Sequence, residues 1–169
     1  MKKNIFIPLN DPNPADVHLV GGKGAGLIRS TQAGLPVPQG VVISTAVYAT
    51  WFSPLQADFQ VQIAQATSPE EKSQIARTFL AQHALPVELV DGLTELQNSH
   101  PETYFAVRSS GSAEDLPGAA FAGLHDTILN VHGAEALQKA VLQCWLSLWN
   151  TEVIHYRARL GVPDDAAKM

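Results

Sequence analysis

The sequence has almost no cysteine, and this scarcity removes whole classes of chemistry. Cys144 is the single cysteine among 169 residues, which excludes an intramolecular disulfide and any cysteine-based zinc site. The six histidines are scattered without the H-x-x-x-H spacing typical of a helical metal site. Cys144 lies inside an apolar helical pattern, which favours a buried, inert thiol over a nucleophile.

Long apolar runs and clusters of basic residues are absent as well. No stretch approaches the roughly 20 apolar residues needed to span a bilayer, and the apolar part of MKKNIFIPLN is too short for a signal peptide. A net charge of -5 gives no electrostatic footprint for nucleic acid. With 46% hydrophobic residues the chain is typical of a soluble globular domain. We expect a cytoplasmic protein with neither nucleic-acid nor membrane partners.

A central stretch, YFAVRSSGSAEDLPGAAFAGLHDT, runs from Tyr104 to Thr127 and changes character at Arg108. The residues before Arg108 are aromatic or β-branched, as in a buried strand. Those after it, beginning with Ser109 and Ser110, form a glycine-rich loop that lets a ligand approach the backbone. A cation at the end of a strand before such a loop predicts a phosphate site, as in open α/β sheets. The alternative is a mobile surface loop with a solvated arginine.

A second glycine cluster, GGKGAGL, leads into a predicted helix that Gly34 ends. The motif is neither a P-loop nor the dinucleotide fingerprint. Lys23 is placed at the start of the helix, where its charge adds to the positive end of the helix dipole. That placement favours a bound anion. Alternatively, the glycines only permit close packing and Lys23 points into water.

The remaining pattern predicts helices and short strands. Strands are expected at 5–9, 40–44 and 127–131. Ser68 opens a helix with a capping-box pattern, Pro86 opens another, and an apolar stripe predicts a helix over 137–149, followed by a last helix from Thr151. Residues 46–98 therefore read as a helical insertion, a cap or lobe between two strands.

Two features of the central loop each allow two interpretations. His125 lies at its edge and can contact a ligand, although a surface histidine is the alternative. Glu114 and Asp115 form the loop's acidic pair. They can hold Mg²⁺ with a nucleotide or simply accept backbone hydrogen bonds.

Four segments in order carry a family resemblance: GGKGAGL, GLPVPQGVVIS, AVRSSGSAEDLPGAAFAG with DTILNV after it, and CWLSLWNTEVIHYRARLG. Together they resemble the N-terminal nucleotide-binding domain of the phosphoenolpyruvate synthase and pyruvate phosphate dikinase family, which includes the rifampin phosphotransferases. The resemblance implies an α+β, ATP-grasp-like fold, with a small sheet, glycine-rich loops and the helical insertion. It also implies a magnesium-dependent kinase or transferase reaction with ATP.

The resemblance assigns roles to individual residues. Lys23 and Arg108 are similar to the lysine and arginine that contact ATP phosphates, and we expect them to act in catalysis as well as in binding. Gly123 and Thr127 match the family's ATP-contacting glycine and threonine, and Ser109 and Ser110 are added as binding candidates. A lysine and an arginine together offset the charge of a transferring phosphoryl group. In a departure from the family, Leu124 stands where glutamine is common.

The resemblance also implies parts that this sequence does not contain. In the family, the phosphoryl group passes from ATP to a histidine on a separate swivelling domain. From there it passes to pyruvate or, in the rifampin phosphotransferases, to a hydroxyl of the drug. No histidine here matches that residue, and the Mg²⁺ ligands are expected in a missing part. We therefore expect residues 1–169 to be a partial nucleotide-binding domain, inactive alone. A non-catalytic anion-binding module is the remaining alternative.

Overall fold

The computed structural model describes residues 5–13, 15–110, 126–164 and 169. Within them, helices pack on short antiparallel strand pairs, so the fold class is α+β, as predicted. The strands are β1 (Phe6–Pro8), β2 (Val41–Ile43), β3 (Phe105–Arg108) and β4 (Thr127–Val131). The helices are α1 (Val17–Gln32), α2 (Thr45–Phe52), α3 (Gln56–Ile63), α4 (Pro69–Ala81), α5 (Val87–Ser99), α6 (Ala134–Leu146) and α7 (Thr151–Leu160), with 3-10 turns at Ser53–Leu55 and Ser147–Trp149.

The strands form two separate pairs among the described residues, where the sequence predicted one small sheet. Strand β1 pairs with β2, and β3 pairs with β4, both antiparallel. From its sequence, the loop after Arg108 was compared with a ligand-binding loop of an open α/β sheet. The antiparallel pairing shows that this comparison was wrong. Strands of three to five residues are too short to make an independently stable pair in water. Each pair instead depends on the helices that cover one of its faces.

Helix α1 begins earlier than predicted and ends where the sequence indicated. The Asp16 carboxylate accepts from the His18 N–H at 2.9 Å and caps its N-terminus. At the other end, Gly34 adopts a φ of 75°. The Leu35 N–H donates to the Ser30 carbonyl, and the Gly34 N–H donates to the Thr31 carbonyl. These two bonds define a Schellman motif, which confirms the predicted stop at Gly34.

The start of α4 also follows the predicted pattern, with one change of donor. The Ser68 hydroxyl accepts from the Glu71 N–H at 3.1 Å. The Glu71 carboxylate accepts from the backbone N–H of Thr67, whereas a capping box would use that of Ser68. This hydrogen bond lowers the pKa of the Glu71 carboxyl group.

Four helices, α2 to α5, lie between β2 and β3.

Two hydrophobic cores hold these elements in place. The larger core joins α2 to α7 with β4, and its most buried members include Tyr48, Phe59, Leu80, Leu89, Leu137 and Trp149. The helices between β2 and β3 therefore share one core with α6. The smaller core contains Leu9, Val20, Ala25 and Ile28 and joins α1 to β1 and β2. None of the helices in the described ranges is both long enough and apolar enough to cross a membrane.

Arg157 is a charged residue buried inside the larger core. Its guanidinium donates to the Leu148 carbonyl and lies 3.3 Å from the Asp164 carboxylate. It also stands 4.8 Å above the Trp149 ring. Burial lowers the pKa of Arg157, and the Asp164 charge opposes that shift. Because Lys72 of α4 also pairs with Asp164, this group of charges ties the chain beyond α7 to α4.

Candidate functional site

The glycine cluster forms a kink inside α1, and Lys23 follows that kink. Gly21 has φ 65° and ψ 171°, outside the helical region, while the residues on either side are helical. Lys23 therefore lies in the first turn after the kink, inside a helix that begins six residues before it at Val17. The sequence predicted Lys23 at the start of a helix, whereas the structure places it just after a break within α1. Glycine suits this break because it adopts a positive φ without steric cost.

The half-buried Lys23 side chain reaches from α1 to the end of β3. Its ammonium group lies 3.3 Å from the backbone carbonyl oxygen of Ser109, and donates a hydrogen bond to it. Ser109 follows Arg108 directly. Two of the residues singled out from different parts of the sequence, Lys23 and Ser109, are therefore in contact in the folded chain.

Arg108 and Thr127 occupy facing positions in the β3–β4 pair. Arg108 is in register with Thr127, and Val107 is in register with Ile128. Residues directly opposite in an antiparallel pair share a face. Val107 and Ile128 pack on the larger core, whereas Arg108 and Thr127 are exposed on the other face. Arg108 at the end of β3 and Thr127 at the start of β4 therefore lie side by side at one end of the strand pair.

A bulge in β4 sets this register. One residue separates Phe105 from Val107 in β3, whereas two residues separate their partners Val131 and Ile128 in β4. The extra residue is accommodated where Asn130 adopts a φ of 57°, a conformation that asparagine tolerates better than most residues. Without the bulge, the side chains of one end of β4 would face the opposite side.

Ser109 and Ser110 point in different directions. The Ser109 side chain is only 2% exposed, and its hydroxyl has no hydrogen-bond partner within the described part of the chain. The Ser110 hydroxyl donates to the Val20 carbonyl at 2.9 Å and accepts from the Gly24 N–H at 3.0 Å. Ser110 therefore joins the strand end to the kinked helix.

Several predicted features lie outside the described residues. These are Gly123, the departure at Leu124, the ligand candidate His125, and the acidic pair Glu114 and Asp115. The roles expected for them remain predictions.

Asp126 is a residue that sequence reasoning did not single out. Its carboxylate accepts from the side-chain amides of Gln143 and Asn150, each at 3.2 Å. The Asn150 side-chain oxygen in turn accepts from Arg77 of α4. The Asp126 carbonyl accepts from the Ser109 N–H at 3.4 Å. Asp126 thus anchors the start of β4 to α4 and α6; its position immediately before Thr127 was the one available signal.

Cys144 lies beneath the same strand ends. Its thiol is 3.8 Å from the carbonyl oxygens of both Val107 and Asp126. Burial, with a smaller contribution from the Asp126 charge, raises the pKa of Cys144 to about 12, and Lys23 opposes this shift. The thiol is therefore protonated at neutral pH. The burial confirms the predicted buried cysteine, and the raised pKa favours an unreactive thiol over a thiolate nucleophile.

The described residues offer cationic groups for an anion but no metal-binding cluster. Among them, no group of three or more histidine, cysteine, aspartate or glutamate side chains is placed to hold a metal ion. Lys23 of α1 contacts the residue that follows Arg108, so the two motifs meet at one end of β3. The fold and this site define an α+β domain in which a lysine on a glycine-rich helix meets a strand end that carries an arginine.

The sequence comparisons identify the family of this domain. Residues 17–169 match the family model described as pyruvate phosphate dikinase, AMP/ATP-binding domain. The chain belongs to this family. It is 35% identical, over 96% of its length, to the rifampicin phosphotransferase of Streptomyces sviceus. It is 38% identical over 84% of its length to the probable phosphoenolpyruvate synthase of Methanothermobacter thermautotrophicus, and 34% identical over its whole length to the phosphoenolpyruvate synthase of Aeropyrum pernix.

The resemblance found from the motifs is thereby confirmed. The family name supports ATP as the ligand class. The chain covers 20% to 23% of the length of these three relatives. The reactions that their names describe take place in much longer proteins.

Proposed function

We propose that this chain is the ATP-binding part of a phosphotransferase that passes a phosphoryl group from ATP, through a histidine on another domain, to pyruvate, giving phosphoenolpyruvate. The observation that supports the proposal best is the contact between Lys23 and Ser109. It places an ammonium group beside the residue that follows Arg108. A lysine and an arginine that act on one ligand would suit a polyphosphate, whose charge is spread over several oxygens.

In this proposal, each side chain has a distinct task. Lys23 acts as a compact point charge on phosphate oxygens, whereas Arg108 can bind two oxygens at once through its planar guanidinium. Both roles reduce the repulsion that a transferring phosphoryl group meets, which is why we assign them to catalysis and to binding. Thr127, opposite Arg108 in register, adds a hydroxyl on the same exposed face, and Gly123 completes the set.

We further propose that residues 1–169 form a partial ATP-grasp-like nucleotide-binding domain, with residues 46–98 as its helical insertion. Mg²⁺ neutralises phosphate charge in reactions of this type. The described residues do not supply a ligand set for it, and we propose that its ligands belong to another part of the complete enzyme. A phosphohistidine domain and pyruvate are the proposed partners of the complete reaction, in the cytoplasm.

A titration with MgATP followed by NMR chemical shifts tests the ATP-binding part of this proposal. Two charge-assisted contacts of about 1.5–3 kcal/mol each, set against an association cost of at least about 4 kcal/mol, leave at most about 2 kcal/mol, which corresponds to a dissociation constant of roughly tens of millimolar or weaker. We expect saturable shifts at the amides of Lys23 to Gly26 and of Arg108 to Ser110. MgATP that shifts none of these amides up to tens of millimolar, roughly, would overturn ATP binding at this site.

The drug phosphotransferases provide a second candidate function. The match to the Streptomyces sviceus enzyme extends over 96% of the chain at 35% identity, comparable with the matches to phosphoenolpyruvate synthases. The two functions share the ATP site and differ in the acceptor. In the polypeptide that carries this domain, consumption of ATP that depends on pyruvate supports the first function. ATP consumption that depends on rifampicin supports the second.

A further inference from the structure

The kink in α1 is bridged by a side chain from a distant part of the sequence. In a regular α-helix, the N–H of each residue donates to the carbonyl four residues earlier. Gly24 and Val20 form such a pair across the kink at Gly21. The Ser110 hydroxyl contacts both members, since it accepts from the Gly24 N–H at 3.0 Å and donates to the Val20 carbonyl at 2.9 Å. One hydroxyl thus spans the two groups that an unbroken helix would join directly.

The close approach of Ser110 requires the glycine at the kink. A Cβ atom added at Gly21 would lie 2.3 Å from the Ser110 carbonyl oxygen and 2.5 Å from its hydroxyl oxygen. Such distances are impossible between unbonded heavy atoms, so any other residue would push Ser110 away. The positive φ of 65° at Gly21 adds a second reason for glycine there. The fit between Gly21 and Ser110 therefore fixes the distance between α1 and the end of β3.

Lys23 lies inside the bridged turn, between Val20 and Gly24. Its backbone is held by the Ser110 bridge, and its ammonium group contacts the carbonyl of the neighbouring Ser109. Both ends of the lysine are thus set by two consecutive residues that follow Arg108. A shift of the strand end relative to α1 would change where the ammonium group lies.

We propose that Ser110 is a positioning residue. Its hydroxyl holds the kinked turn of α1 in place and so orients Lys23 toward the phosphates of ATP. This inference rests on the proposed function, and it differs from the direct ligand contact that the sequence suggested for Ser110. The donor of the hydroxyl is used on the Val20 carbonyl. Ser110 therefore acts on the ligand through Lys23.

The first test uses the chain without ligand. In Ser110→Ala, the Gly24 amide loses its acceptor, and we expect its hydrogen exchange to accelerate by about tenfold or more relative to the wild type. Gly21→Ala, which displaces Ser110 from the other side, should have the same effect. Ser53→Ala is the matched control, because Ser53 is an exposed serine far along the sequence from the kink. A urea titration establishes that each variant is folded.

The second test asks whether Ser110 acts through Lys23. MgATP affinity is measured by NMR titration for the wild type, Ser110→Ala, Lys23→Ala and the double variant. We expect Ser110→Ala to weaken binding by about tenfold in the wild-type background and to have little further effect when Lys23 is already replaced. A merely structural role of Ser110 would weaken binding equally in both backgrounds.

The outcomes separate this inference from the proposed function. If the wild type fails to bind MgATP, the proposed function is wrong, and a positioning role toward ATP is wrong with it. If the wild type binds but Ser110→Ala binds equally well, only the inference is overturned. The same holds if the loss is equal in the two backgrounds, or if Gly24 exchange is unchanged in Ser110→Ala.

Discussion

The ammonium group of Lys23 lies 3.3 Å from the carbonyl oxygen of Ser109, although 86 positions separate the two residues in the chain. The contact connects the glycine-rich helix α1 to the end of β3. It places a lysine from one motif beside the residue that follows the arginine of the other. The proposed phosphate site depends on this connection, because Lys23 and Arg108 belong to different motifs.

Replacing either cation should weaken nucleotide binding. We expect Lys23→Ala and Arg108→Ala each to raise the dissociation constant for MgATP by about tenfold or more, since a charge-assisted hydrogen bond contributes about 1.5–3 kcal/mol. NMR titration measures the change. Lys139→Ala is the control, because it removes one positive charge from an exposed position on α6. Equal effects in all three variants would mean that only the overall charge matters, which contradicts a specific site.

The Asp126 carboxylate should matter for stability and for the position of Thr127. In Asp126→Asn, one of the two carboxylate oxygens that accept from Gln143 and Asn150 becomes an amide donor. We expect unfolding free energy to fall by about 1–3 kcal/mol, because a donor would be left facing a donor. Urea denaturation measures the loss. Glu102→Gln, at an exposed position, is the matched control, and a loss equal to that of the control would contradict the anchoring role.

The Cys144 thiol should be unreactive in the folded protein. Its pKa is raised to about 12 by burial and by the charge of Asp126, so almost no thiolate exists at pH 8. We expect a disulfide reagent to modify Cys144 only as fast as the chain unfolds, and at once in urea. Rapid modification of the native protein at pH 8 would show that the thiol is exposed or ionised.

Alkaline pH should destabilise the fold in two stages. A group whose pKa is raised on folding stabilises the protein below its unfolded pKa, and this contribution is lost as the pH rises through the folded value. For Cys144 the pKa rises from 9.0 to about 12, and for the buried Tyr48 it rises from 10.0 to about 12. Stability should therefore decline from about pH 9 upward. In Cys144→Ala the decline should begin about one pH unit later, as urea titrations across this range can measure.

Substitutions at two glycines distinguish the effect of tight packing from the effect of chain flexibility. A Cβ added at Gly92 of α5 would lie 2.2 Å from the Phe6 ring, whereas one added at Gly26 of α1 would meet nothing within 4 Å. We expect Gly92→Ala to destabilise the protein by about 1–3 kcal/mol through overpacking. Gly26→Ala should stabilise it by about 0.4–1 kcal/mol, because alanine restricts the unfolded chain. Thermal unfolding of the two variants measures both signs, and destabilisation by Gly26→Ala would contradict the open space around it.

Local signals in the sequence determined where several elements begin and end. Gly34 stops α1 because it alone among its neighbours adopts the left-handed conformation without strain. Ser68 starts α4 through its hydroxyl, and the apolar stripe of α6 predicts its buried face, including Cys144 and Trp145. The family also followed from the sequence, because the order and spacing of four motifs are properties of the chain itself.

Only the tertiary structure decided how the site is assembled. The bridge from Ser110 to Val20 and Gly24 spans 90 and 86 positions of the chain, and no local preference encodes such a contact. The separation into two strand pairs and the anchoring of Asp126 were likewise decided by packing. The physical reason is that periodicity and capping depend on residues a few positions apart, whereas the distance from Lys23 to Ser109 depends on how Gly21 allows two remote segments to approach.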